Sequence, residues 1–94
     1  MDAELAERIE LAADVLKSFG AKEVYAFGSA VEGSLTSHSD IDLAVSGLPA
    51  GVFFRAWAKA VRVFPDREMD LIDLDHDGPF ARFLEKKGEL KRVG

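Results

Sequence analysis

The chain has 94 residues, enough for one domain, with 48% hydrophobic and 31% charged residues, an ordinary balance for a soluble globular protein. A net charge of −5 argues against unassisted binding to a nucleic-acid backbone, which needs a cationic footprint. It leaves room for a phosphate substrate bridged by divalent cations or for a basic partner, while the absence of cysteine excludes disulfides and thiolate metal sites.

The opening MDAELAERIE is charged and helix-like, unlike a signal peptide, and no apolar run is long enough to span a bilayer. A cytoplasmic protein without a membrane partner is the expectation. From Asp2 to Phe19, Leu5, Ile9, Ala12 and Leu16 recur at helical spacing, with Leu11, Val15 and Phe19 widening the stripe. Gly20 fits a helix C-cap. KEVYAF, rich in β-branched and aromatic residues, predicts a strand ending at Gly28-Ser29. SAVEG predicts a short helical turn with Ser29 as N-cap and Gly33 as terminator. SLTSHS reads as a polar loop and DIDLAV as a second strand.

Gly47 and Pro49 break the chain, and GVFFRAWAKAVRVF predicts an amphipathic helix closed by Pro65. EMDLIDL predicts a third strand, DHDGP a turn, and FARFLEKK a last helix entered at Pro79 and closed by Gly88. No repeat or linker interrupts this order. The expected fold class is therefore α/β, more strictly α+β: α-β-α-β-α-β-α, with a small mixed sheet of about three strands packed with helices, in one domain spanning residues 1–94.

Asp40 and Asp42 stand two apart on a predicted strand, so their side chains leave the same face, while Ile41 and Leu43 leave the other. Adjacent carboxylates repel, and burying either without a cation is costly. Carboxylate oxygen suits Mg²⁺. If the second and third strands are neighbours, Asp70 completes a cluster able to hold two metals about 3.5–4 Å apart, the arrangement that clamps an in-line phosphoryl displacement. Gly28-Ser29, ending a strand and opening a helical turn, offers backbone N–H groups and a hydroxyl to a phosphate. Each feature alone reads as a turn or a cap; the combination is hard to explain as structure only.

GSAVEGSLTSHSDIDL resembles the Gly-Ser…Asp-x-Asp signature of the nucleotidyltransferase superfamily related to DNA polymerase β, and the small size resembles its minimal nucleotidyltransferase (MNT) branch. Gly28, Ser29, Gly33, Ser39, Asp40, Asp42 and Leu43 fall where that branch has them, and MDLIDL puts Asp70 in the third-carboxylate position. The resemblance implies the polymerase-β-like fold. It also implies transfer of a nucleoside monophosphate from an NTP, AMP from ATP in particular, with loss of pyrophosphate. Asp40, Asp42 and Asp70 would bind two Mg²⁺ ions, Asp70 would help deprotonate the attacking hydroxyl, and Gly28, Ser29 and Ser39 would bind the nucleotide. Minimal members are often antitoxins paired with all-helical HEPN proteins, and some modify a tyrosine of that partner. A core this small leaves an open, wet cleft, which a partner subunit would cover. Ala30 and Glu32 depart from the pattern, since many relatives carry Arg there. A Lys or Arg elsewhere, such as Arg67 or Lys59, would have to compensate, or the chain acts as a non-catalytic antitoxin or binding protein that occludes its partner. A purely structural metal site is a third reading.

Asp73, Asp75, Asp77 and Gly78 match the start of an EF-hand loop, but the twelfth position is Leu84 and Glu85 comes one residue late. An acidic strand end with Asp77 capping the last helix is the preferred reading. His38 and His76 read as solvated loop residues, Trp57 and its neighbouring Phe residues as core, and EKKGELKR as a solvated helix face.

Overall fold

In the computed structural model, which describes residues 3–27, 40–76 and 91–93, helix α1 runs from Ala3 to Ser18. Leu5, Ile9, Ala12 and Leu16 form its buried stripe, as the spacing predicts, and Ala13 is buried with them. Leu11 does not join it and remains 56% exposed. The helix stops at Gly20, whose φ of 115° suits a residue without Cβ. Gly20 N–H donates to Lys17 C=O at 2.9 Å and Ala21 N–H to Leu16 C=O at 3.2 Å, the paired bonds that satisfy the last carbonyls of a helix.

Strand β1 (Glu23–Phe27) pairs antiparallel with β2 (Ile41–Ser46). A 3₁₀ turn over Ala50–Val52 leads into helix α2, Phe53–Val61, and the chain returns as β3 (Met69–Asp73), parallel to β2. A helix supplies the long connection that parallel pairing requires. Helix α2 is shorter than the apolar pattern predicts: a tight turn carries Val63 and Phe64 beyond it, with N–H groups of Arg62, Val63 and Phe64 bonding three residues back. Arg8 holds this turn from α1. Its Nε donates to Val63 C=O at 3.0 Å, its guanidinium pairs with Asp66, and it lies 5.1 Å over the Phe64 ring.

The sheet has a fourth strand that the sequence did not reveal. Lys91–Val93 form β4, antiparallel to β1, and the order is β3-β2-β1-β4. Part of the predicted solvated helix face EKKGELKR is thus sheet edge. Charged residues are common on edge strands, so Lys91 and Arg92 fit that place once Val93 is packed against the core. The predicted helical turn at 29–33 and the predicted helix after Pro79 lie outside the described residues.

Alternation divides the sheet into two faces. Val24, Ala26, Ile41, Leu43, Val45, Met69 and Leu71 are buried with α1 and α2 in the main core. Ala56 and Ala60, one turn apart on α2, are fully buried, and α2 packs on α1. The other face carries a small apolar floor of Phe27 and Ala44 with Tyr25, Ile72 and Leu74. Among the described residues no helix is long and apolar enough to cross a membrane.

Candidate active site

The three predicted carboxylates can be placed strand by strand. Ile41 and Leu43 are fully buried on the helix side, so the residue between them, Asp42, is turned to the floor side. On β3, Met69 and Leu71 are buried and Asp70 is exposed between them. Asp42 and Asp70 are register partners; directly opposed residues share a face. The second and third strands are therefore neighbours, with the two carboxylates side by side. Asp40 is exposed one residue before β2.

Electrostatics links all three. Burial pushes the Asp42 carboxyl above its ordinary value, and the charges of Asp70 and Asp40 push it further. These are the two ways a carboxylate is made to resist ionisation. The arrangement is two register partners with Asp40 in electrostatic range. Among the described residues no three His, Asp or Glu side chains are gathered closely enough to hold a metal ion. The donor chemistry still fits Mg²⁺: hard oxygen ligands whose mutual repulsion a cation would relieve.

Phe27, the last residue of β1, opposes Asp42, so the covalent path to Gly28 leaves from beside the carboxylates. Gly28, Ser29, Ala30, Glu32, Gly33, His38 and Ser39 lie outside the described residues, as does Asp77. An open groove of about 530 Å³ has Asp70 in its lining, together with Trp57, Phe64, Pro65, Arg67 and Met69. Trp57 is half-buried there, and its indole N–H donates to Met69 C=O at 2.9 Å. Its aromatic neighbours are less buried than core spacing predicts: Phe54 is 75% exposed and stacks on Trp57, with ring centres 6.3 Å apart.

Lys59 and Arg67, named as examples of cations that would compensate for Ala30 and Glu32, are poorly disposed to do so. Lys59 lies on the helix layer beside Phe19, Arg55 and Arg62, across the sheet from Asp42. The Arg67 side chain is only 7% exposed and lies 3.8 Å from Asp66. Sequence reasoning missed another charged group on the carboxylate face. Arg92 of β4 is the register partner of Tyr25, and the only signal for it was the single apolar Val93 beside it.

The Asp73–Asp75 segment forms a turn. Asp73 is buried, accepts a hydrogen bond from Asp75 N–H at 3.0 Å, and lies 2.8 Å from His76 Nδ1. Asp75 accepts one from Gly47 N–H at 2.7 Å. His76 is thus tied to a carboxylate rather than simply solvated. These contacts account for Asp73 and Asp75 as turn formers, in keeping with an acidic strand end.

Comparison with known proteins adds a family. The profile described as "Polymerase beta, Nucleotidyltransferase" matches residues 8–90. No curated protein matches the chain. Solved structures share the fold, two of them toxin–antitoxin structures. One is a toxin–antitoxin with AMP-PNP, at a TM-score of 0.70 and 22% identity, covering 95% of this chain and 72% of that one. The other is a mutant of the toxin–antitoxin MntA–HpeT in which two aspartates, two positions apart, are replaced by glutamate. Its TM-score is 0.66 at 19% identity, covering 95% of this chain and 71% of that one.

Proposed function

The chain belongs to the polymerase β nucleotidyltransferase family, and from that premise we propose that it transfers AMP from ATP to a hydroxyl of a partner protein, as the antitoxin of a HEPN-type toxin. The observation that carries this reading is the pairing of Asp42 with Asp70 on one sheet face, with the Asp42 carboxyl pushed up by burial and then by Asp70 and Asp40. The fold neighbours support it, since both are toxin–antitoxin structures and one carries AMP-PNP. The aspartates altered in MntA–HpeT have the spacing of Asp40 and Asp42.

Two Mg²⁺ ions held by Asp40, Asp42 and Asp70 would neutralise the triphosphate and polarise its α-phosphoryl group. Gly28, Ser29 and Ser39 would hold the nucleotide's phosphates through N–H and hydroxyl donors. Asp70, exposed at the groove, takes the proton of the acceptor hydroxyl. The hydroxyl oxygen then forms a bond to the α-phosphorus as the bond to the β-phosphate breaks, and pyrophosphate leaves. The partner covers the apolar floor of Phe27, Ala44 and Tyr25 and positions its own hydroxyl.

Ala30 and Glu32 favour a second reading, in which the chain neutralises its partner by occlusion without chemistry. Intact-mass analysis of the partner after incubation with Mg²⁺ and ATP separates the two. Added AMP that disappears when Asp40 and Asp42 become Asn is the expected result. A partner that stays unmodified yet inhibited would leave occlusion standing and the transfer reading refuted.

A further inference from the structure

We infer that Arg92 binds the nucleotide's polyphosphate. The inference rests on the nucleotide-transfer reading above and adds to it a specific anion contact. Arg92 opposes Tyr25 on β1, and Tyr25 belongs to the apolar floor with Phe27 and Ala44. Val93, its neighbour, packs on the helix-side core opposite Val24. Alternation then turns Arg92 to the face of Asp42 and Asp70. The side chain is exposed.

Among the described strand residues on that face, the charged groups are Glu23, Asp42, Asp70 and Arg92. Among these described strand residues Arg92 is the one cation, and so the one attractive charge they offer a triphosphate against three carboxylates. Glu23, the anion closest in register to Arg92, already accepts the Tyr25 hydroxyl. No ion pair engages Arg92 among the described residues. Two strand spacings across and two residues along the sheet place its Cα about 12 Å from that of Asp42. That is a gap an extended arginine and a polyphosphate chain span together. A guanidinium presents paired N–H donors to phosphate oxygens, which gives geometry as well as charge.

Calorimetric titration of MgATP and of magnesium tripolyphosphate into the unchanged protein, Arg92→Ala and Arg92→Lys tests this. Arg92→Ala is expected to weaken both ligands about tenfold, the scale of one hydrogen bond to a charged group. Arg92→Lys should recover most of the loss. Unaltered affinity in Arg92→Ala overturns the assignment, and so does weakened ATP with unaltered tripolyphosphate, which would mark a base or sugar contact. An unchanged protein that binds neither ligand sinks the transfer reading along with it, a result distinct from a flat Arg92→Ala response.

Discussion

Replacing Asp42 with Asn should make the metal-free protein more stable. Asp42 lies directly opposite Asp70 and is half-buried. Strands run about 4.8 Å apart, and two unit charges at about 5 Å repel by about 0.8 kcal/mol at the dielectric of water. Half-burial keeps the pair nearer that limit than the dry interior, and opposed like charges in sheets cost up to about 1 kcal/mol. Removing one charge is therefore worth about 1 kcal/mol, or about 4–8 °C in Tm for a domain of this size. The pH dependence follows from the direction of the shift. The folded Asp42 carboxyl holds its proton to higher pH than the unfolded one, because of burial and then Asp70 and Asp40. The penalty is nil below the unfolded value of about 3.9, where both states are protonated, and grows as pH rises through the folded value. Urea or thermal unfolding in EDTA at pH 7 and at acid pH reads this directly: Asp42→Asn should gain at neutral pH and lose the advantage in acid. Added Mg²⁺ should raise the Tm of the unchanged protein more than that of the variant. A variant less stable than its parent at pH 7 without metal would refute the reasoning, because the carboxylate would then be making a favourable contact.

Two further substitutions probe the frame around the site. Phe64→Ala empties a position that is 1% exposed and under the Arg8 guanidinium, so denaturant melts should show a loss of about 3–5 kcal/mol, enough to unfold much of a small domain. Gly47→Ala should cost more than about 1 kcal/mol: Gly47 has φ of 74°, and a Cβ there would sit 2.6 Å from Lys22 Cγ. A Tm within a degree of the parent would contradict that.

The elements that were legible in the sequence are those whose burial follows a simple period. The α1 positions Leu5, Ile9, Ala12 and Leu16 and the alternation of Ile41, Asp42 and Leu43 predicted which side chains point inward, and the third strand's Asp70 was expected to join Asp42 if the two strands were neighbours. What was illegible depends on partners distant in sequence. Lys91–Val93 is a strand because β1 offers an edge, and three residues with two charges carry no periodic signal of their own. Helix α2 stops at Val61, and the turn that follows is held by Arg8 from another helix. Phe54 fits the apolar pattern of α2 yet faces solvent, as single apolar residues often do. His76 reads as a loop residue until Asp73 is seen 2.8 Å away.

The carboxylates of β2 and β3 are aligned by residues that do no chemistry. Slip β3 one place along β2 and every side chain changes sides: Leu71 would roll into water and Asp70 would be pressed into the helices. The aliphatic residues flanking the two acids thus act as a ruler, and the energy that closes the core is the same energy that fixes the distance between the acids. Drift among Val, Ile and Leu at those marks would leave the spacing intact. A lineage could then recast nearly all of its sequence while keeping its acids in place, provided the greasy-and-acidic rhythm of these two short segments survived.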